Sequence, residues 1–370
     1  MSEGRTASQS GKRTLDDART AKTDEFYTQL VDIENELKHY KEQLNGKVVL
    51  CNCDDPKESK FFEYFALNFN TLGLKKLIAT SYAGSPIVGG QLPLIEIEGL
   101  KPEGKEPYLV EINEVLDFNS DGAINLLDVD YLLRHDKNAS RPLKGDENYC
   151  GGDFRSSECL NVLREADVVV TNPPFSLFRE FLDILEEHNK TFLIIGNTNA
   201  ITYKEVFALI KQNKFRTGYT KFNVGMFFEV PGHWVKYHHI DEHTGKKMAR
   251  VSTSCWFTNM EVKKHKEFLP LYKKYSPAAY PKYENYDAIE VGKVADIPVD
   301  YDGVMGVPIT FLDKYNPDQF EILGSNLTLG IPMAQIAEKG TYPQGGPSFY
   351  LCNVNGTYRR VYTRIVIKRK

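Results

Sequence analysis

The sequence lacks any run of about 18 consecutive apolar residues, the length a helix needs to cross a bilayer, so no membrane span is expected. Its first 22 residues, rich in Ser, Thr, Gly, Lys and Arg, contain no apolar core and do not read as a secretory signal; a flexible tail is expected there. The six cysteines, at positions 51, 53, 150, 159, 255 and 352, make no CxxC pair and no dense pattern. That excludes a disulfide-stapled fold and points to free thiols in a reducing, cytoplasmic setting. No internal repeat or long low-complexity tract is visible. The net charge of −4 speaks against a protein that simply coats a polyanion.

What is present is an ordinary globular balance. The chain has 370 residues, 41% hydrophobic and 26% charged, enough for one large domain and a smaller one. From 24 to 44 apolar residues fall at helical spacing (Phe26, Leu30, Ile33, Leu37, Leu44), which predicts a helix capped by Thr23 or Asp24. Short buried strands are expected at 48–51, 76–80, 167–171 and 191–195. Helices are expected at 59–69, 160–164, 176–188 and 203–212. Strands bounded by turns and separated by helices imply α/β: a Rossmann-like doubly wound parallel sheet covered on both faces. Residues 84–150, rich in Gly, Pro and acids, break the rhythm and read as an inserted module. After 216 the pattern shifts to strands at 226–230, 250–259 and 360–367. The expected division is therefore a tail (1–22), a catalytic domain (23–260) and a C-terminal α+β region (261–370).

The most informative residues are Asn172, Pro173, Pro174 and Phe175, which directly follow the strand of Val168, Val169, Val170 and Thr171. In open α/β sheets ligands bind beyond the carboxyl ends of the strands, where this tetrapeptide would stand. Its chemistry suits methylation of an amine on a planar ring. The Asn172 side-chain oxygen and the Pro173 carbonyl can each accept one N–H of that amine. The prolines stiffen the turn, and Phe175 offers a face on which an extruded base can stack. A methyl sulfonium needs no protein nucleophile, so positioning and electrostatics suffice. Alone, Asn-Pro-Pro is also an ordinary turn; its place after a buried strand is what favours the functional reading.

Three segments make sense as partners of that turn. Thr23, Phe26, Tyr27 and Thr28 open the expected first helix, whose N–H groups can hold a carboxylate. The turn after the strand at 48–51 holds Cys51, Asn52 and Asp54. It has no glycine where a cofactor loop usually does, and Asp54 is the candidate acceptor for an ammonium group. Asp153 and Phe154, before the next helix, can accept from the adenine amine of a cofactor and pack on its ring. Each segment also reads as plain capping or turn chemistry.

Taken together these stretches resemble the EcoRI-type adenine-specific DNA methyltransferases. The matching pieces are 22–35 (KTDEFYTQLVDIEN), 48–56 (VVLCNCDDP), 152–158 (GDFRSSE), 166–180 (ADVVVTNPPFSLFRE), 192–204 (FLIIGNTNAITYK) and 296–324 (DIPVDYDGVMGVPITFLDKYNPDQFEILG). The resemblance implies S-adenosylmethionine as donor, a flipped-out adenine of double-stranded DNA as acceptor, and N6-methyladenine as product. It implies a C-terminal target-recognition region; any cognate restriction endonuclease would be related to the chain by function and not by a physical complex, and its presence is left open by the sequence. On that view Arg359, Arg360 and Arg364 in the basic C-terminal run would meet phosphates, and the tail would touch DNA.

Residues 117–128 also fit a calcium loop. Asp117, Asn119 and Asp121 stand at positions one, three and five, Gly122 at six and Asp128 at twelve. A structural Ca2+ and a helix-capping turn are both open readings. His238, His239 and His243 match no standard metal spacing and read as loop histidines. Two alternatives stay open: methylation of an amine in RNA or in a protein glutamine, or a calcium-dependent interaction protein on a degenerate methyltransferase fold.

Overall fold

The computed structural model describes residues 27–53, 55–56, 59–81, 107–135, 140–222, 224–230, 234–235, 237–242 and 244–370. The tail at 1–22, the candidates Thr23, Phe26 and Asp54, His243, and much of the expected insertion lie outside the described residues. The chain divides into two compact units, one of Met1–Thr198 with Gly218–Met260 and one of Asn199–Thr217 with Glu261–Lys370. Residues 199–217 therefore group with the second unit, where the sequence placed them in the first.

In the first unit the strands are β1 (Tyr27–Thr28), β2 (Val48–Cys51), β3 (Lys76–Thr80), β4 (Tyr108–Ile112), β5 (Ser140–Pro142), β6 (Val168–Thr171), β7 (Thr191–Asn197), β8 (Met226–Val230), β9 (His239–Ile240), β10 (Lys247–Val251) and β11 (Ser254–Thr258). Helices α1 (Leu30–Leu37), α2 (Lys60–Leu67), α3 (Leu126–His135), α4 (Ser157–Glu165) and α5 (Phe178–Glu187) accompany them. Within this unit the strands of the large sheet run β5-β4-β3-β2-β6-β7-β11. Its four central strands are parallel, whereas β4, β5 and β11 join antiparallel. Every residue of β2 and β6 is buried, which is why both read as unbroken apolar runs. Each such Val or Leu contributes roughly 1.5–3 kcal/mol of burial. Along α5, Phe178, Phe181, Leu182 and Leu185 are buried, a single stripe at helical spacing. A Cβ on Gly196 of β7 would come within 2.4 Å of the Phe178 ring, so glycine is what lets α5 lie close on the sheet.

Chain order reverses at the centre. From β2 the chain crosses through α2 to β3 on one side, and from β6 it crosses through α5 to β7 on the other. Right-handed crossovers in opposite directions place α2 and α5 on opposite faces. The crevice between β2 and β6 is therefore a topological switch point.

Three expectations are corrected. The first helix does not begin at residue 24. Tyr27 and Thr28 form β1, paired with Glu229 and Phe228 of β8, and Leu30 opens the helix after Gln29. An aromatic and a β-branched residue suit a ladder, whereas no side chain caps α1. The helix also stops at Leu37, because Tyr40 turns inward and its hydroxyl donates to Glu36 at 2.9 Å. Residues 108–112 and 140–142, within the expected insertion, extend the large sheet from β3. The strand expected at 250–259 is two strands, β10 and β11, joined by a turn at 252–253.

Burial raises the Asp32 carboxyl of α1 to about 6. A folded-state pKa above the unfolded value of about 3.9 favours the protonated acid. That stability is fully present below the unfolded value and is lost as pH rises through about 6. Asp32→Asn is expected to stabilise the protein above that pH by about 1 kcal/mol after solvent screening, and not below about pH 4. Thermal melts across the pH range check this, and a pH-independent difference would refute it.

The second unit is built on a sheet of β12 (Lys282–Tyr283), β13 (Tyr286–Glu290), β14 (Met305–Pro308), β15 (Phe320–Ser325) and β18 (Arg364–Arg369), in the order β12-β13-β14-β18-β15. A hairpin of β16 (Tyr350–Cys352) and β17 (Tyr358–Arg360) forms a separate two-stranded sheet in the same unit. The last expected strand, 360–367, is thus split between β17 and β18. The helix Lys204–Lys211 belongs to this unit. Among the described residues no helix is long and apolar enough to cross a membrane.

Candidate active site

The carboxyl edge of the large sheet collects polar residues that the strands themselves cannot satisfy. Asn52 follows β2 and Asn172 follows β6, on the two sides of the switch point, and both are buried. The Thr171 hydroxyl donates to the Asn52 carbonyl and ties the two strand ends together. Pro173 is buried, and Pro174, in extended conformation (φ −54°, ψ 123°), hands the chain to the 3-10 turn Phe175–Leu177. The Leu177 amide closes that turn on the Pro174 carbonyl at 3.0 Å. Proline fixes φ and offers no N–H, so the turn has little freedom and its carbonyls keep a set direction. Phe175 is half-buried, its centroid 6.4 Å from the edge-on ring of Phe228. Phe228 is fully buried and faces Thr28 in register. The N-terminal strand, β8 and the Asn-Pro-Pro-Phe turn, far apart in sequence, thus meet.

Three buried oxygens in this region have no hydrogen-bond partner among the described residues: Thr28 Oγ1, Asn52 Oδ1 and Thr80 Oγ1. Cys51 pairs with Ala79 across the parallel strands, so Asn52 and Thr80 stand side by side at the sheet edge. A buried polar group left unpaired costs about 1–3 kcal/mol, and a ligand carrying donors would relieve it. Sequence reading missed Thr80; the only signal was a hydroxyl closing a buried strand. Ser81 next to it is already satisfied, accepting from the Tyr108 amide at 2.8 Å. The Tyr108 hydroxyl in turn donates to Asp55 at 2.8 Å, which anchors the loop after β2 to β4.

That loop solves its missing glycine in an unexpected way. Cys53 adopts φ +73°, a left-handed conformation that costs a non-glycine residue roughly 1–2 kcal/mol. Cys53→Gly is expected to leave stability unchanged or raise it by up to about 1 kcal/mol, because glycine's entropy loss offsets part of the relief. Cys53→Val should cost about 1–3 kcal/mol. Denaturant titration of both variants checks the order, and a destabilised glycine variant would contradict it.

Asp153 precedes α4, whose N-terminus faces the carboxyl edge because the helix runs back to the start of β6. Its carboxylate is buried and held by Arg155, whose Nε and Nη2 donate to its two oxygens at 3.0 and 2.8 Å. These bonds raise the affinity of the guanidinium for its proton. Phe154 is buried edge-on against Phe181, centroids 5.1 Å apart, as part of the core and not as an open platform. Cys51 is buried on β2. Tyr27 lies in a strand, so the helix-start carboxylate site expected of Tyr27 and Thr28 does not form there.

Two further sets of candidate residues remain. The candidate calcium loop of Asp117, Asn119, Asp121 and Asp128 is held together by its own backbone hydrogen bonds. Asp117 accepts from the Asp121 and Gly122 amides, Asn119 from the Asp121 amide, and Asp121 from the Ala123 amide. Asp128 accepts from the Phe118 and Asn125 amides at 3.0 and 2.9 Å. The amides that engage Asp117, Asn119 and Asp121 lie within the loop, and Asp128 holds the Asn125 amide just before α3; among the described residues no group of three or more His, Cys, Asp or Glu could hold a metal. In the second unit, Arg359 and Arg360 are exposed on β17. Arg364 is not: its guanidinium is forked onto Glu290, Nε–Oε2 3.0 Å and Nη2–Oε1 2.5 Å, with both side chains close to nine-tenths buried. It is committed to the core of its unit and cannot reach a phosphate.

Comparison with known proteins bears on this arrangement. The family described as adenine-specific methyltransferase EcoRI matches residues 14–370. The chain is 46% identical over 320 residues to the type II methyltransferase M.EcoRI of Escherichia coli, covering 84% of this chain and 88% of that protein. It is 36% identical over 364 residues to the type II methyltransferase M.MgeORF184P of Mycoplasma genitalium, covering 95% and 98%. It is 34% identical over 364 residues to the type II methyltransferase M.MpnI of Mycoplasma pneumoniae, covering 95% and 97%. No solved structure matches the chain.

Proposed function

The chain belongs to the adenine-specific methyltransferase EcoRI family, and from that premise we propose how its carboxyl-edge crevice works. It is an S-adenosylmethionine-dependent adenine-specific methyltransferase, and we assign its substrate as an adenine extruded from double-stranded DNA. The observation that carries the assignment of residues is the place of Asn172, Pro173, Pro174 and Phe175 at the end of β6, across the order reversal from Asn52.

Asn172 Oδ1 and the Pro173 carbonyl accept the two N–H bonds of adenine N6. Such acceptors draw the amine out of conjugation with the ring and turn its lone pair outward. Phe175 stacks on the extruded base, braced from behind by Phe228. When bound, S-adenosylmethionine supplies a methyl group on a sulfonium, an electrophile that requires no protein nucleophile. The residues present fit such a group. Asn52 Oδ1 and Thr80 Oγ1 are buried without a partner among the described residues, as oxygens awaiting hydroxyl or ammonium donors would be. Thr28 closes the same region through β1, and Asp153, held rigid by Arg155, would accept from the adenine amine of the cofactor. The large sheet is thus read as the Rossmann-like methyltransferase core, and the second unit as the target-recognition region, with Arg359 and Arg360 on phosphates. The type II designation of the relatives points to a companion endonuclease acting on the same DNA site.

The test is transfer of a labelled methyl group from S-adenosylmethionine to unmethylated genomic DNA, followed by nucleoside analysis, with RNA and glutamine-containing protein as competitors. Label in N6-methyladenine is the expected result. Label in a methylcytosine, or preferential label in a competitor, would overturn the assignment.

A further inference from the structure

The first unit carries a second sheet, β1-β8-β10-β9, which springs from the carboxyl edge. Its strand β10 leads through the turn at 252–253 into Ser254, which pairs with Asn197, the last residue of β7. Its inward face is sealed: Met226, Phe228, Ala249 and Val251 are buried, and Phe228 backs Phe175. Its outward face is of another kind. Arg250 lies opposite Phe227 in register, with its guanidinium 6.0 Å from the ring. The imidazoles of His238 and His239 meet the same ring edge-on at 5.2 and 5.5 Å. Both histidines and Arg250 are exposed. Beside them Tyr237 is 43% exposed, with Lys247 Nζ 5.0 Å above its ring. Val235 and Ile240 are exposed in the same stretch.

The acids nearby do not cancel these groups. Glu229 is ion-paired to Lys246 at 2.7 Å. The Asp241 carboxylate is turned into its own loop, accepting from the Thr244 amide and hydroxyl. Among the described residues of the tip, only Glu242 is an exposed acid. Among the described residues Arg250 donates to the Val224 carbonyl and to no carboxylate. Aromatic rings interleaved with cationic and imidazole donors match the chemistry of a nucleic-acid strand, with faces for bases and donors for phosphates. A protein or lipid partner would call for a continuous apolar area in place of these alternating charges.

We propose that the outward face of this small sheet, centred on Phe227, Tyr237, His238, His239 and Arg250, holds the DNA strand flanking the extruded adenine. This rests on the reading that DNA is the substrate. Prising a base out of the stack leaves its neighbours unstacked, and a cationic aromatic face joined through Phe228 to the catalytic turn is placed to receive them. Arg250 and the imidazoles meet phosphates, and the Tyr237 and Phe227 rings meet exposed bases or sugars.

The test uses the full-length protein and a fluorescein-labelled mixed-sequence duplex, read by anisotropy over a range of salt concentrations. The triple variant Arg250→Gln/His238→Ala/His239→Ala is expected to bind about 10-fold or more weakly, and its salt slope to fall by about one for each phosphate that is no longer neutralised. Arg250→Lys alone should keep the slope. Binding of S-adenosylhomocysteine, followed by calorimetry, should match the wild type, because these side chains lie outside the crevice. Wild-type affinity and slope in the triple variant would overturn the surface while leaving the methyltransferase reading intact. No binding of any duplex by the wild-type protein would overturn both.

Discussion

Asn172→Ala is expected to lower the single-turnover rate of methyl transfer to adenine by about 10²–10³-fold, the size of effect seen when one preorganised polar group is removed from a site of developing charge. The amine nitrogen gains positive character as the methyl arrives, and an oxygen aimed at its N–H bond is most valuable at that moment. Asn172 is buried at the end of β6 between two elements that hold it still, the strand through Val168–Thr171 and the proline turn. The oxygen therefore needs no reorganisation to act. DNA affinity should change little, since phosphate interactions elsewhere dominate it, so the loss should fall on the chemical step and not on KM. Asn172→Asp keeps an acceptor and should lose less. Rapid-quench measurement with saturating donor and DNA decides the matter; a rate equal to that of the wild type would remove Asn172 from the reaction.

Arg364→Ala is expected to cost about 3–5 kcal/mol of stability, because it strands a buried carboxylate. Glu290 accepts both arms of the guanidinium and also the Tyr283 hydroxyl. Removing the arginine leaves that charge in the core between β13 and β18. Replacing both partners with apolar residues, Arg364→Met with Glu290→Leu, should recover most of the loss, since a buried pair is often no more stabilising than packed hydrocarbon. Urea denaturation reads both outcomes. If Arg364 met DNA phosphates instead, the single variant would keep its stability and bind DNA with a salt slope lower by about one.

The arginine shows where linear reading stops. In the sequence Arg359, Arg360 and Arg364 are equivalent members of one basic run. A few residues of separation decide whether a side chain points from an exposed hairpin or into a sheet paired on both sides. The acidic loop at 117–128 is a similar case. Its spacing suits calcium, but the same oxygens are equally suited to backbone amides, and the loop itself supplies those amides within the same few residues of chain. The N-terminal stretch misled for a different reason. Apolar spacing over 24–44 is helical, yet Tyr27 and Thr28 belong to a ladder whose other strand, around Phe228 and Glu229, is remote in the chain, and local periodicity carries no trace of such a partner.

The sequence alone determined the buried parallel strands, the helix stripes between them, and the Asn-Pro-Pro-Phe turn, because each is set by neighbours within a few residues: apolar runs, capping serines, proline's fixed φ. It was enough to identify the family. Only the tertiary structure decided that Asn52 and Thr80 stand together as unpaired acceptors, that Phe228 backs Phe175, and which arginine faces solvent. Those relations depend on strand order and register, and order and register are settled by burying surface between segments distant in the chain.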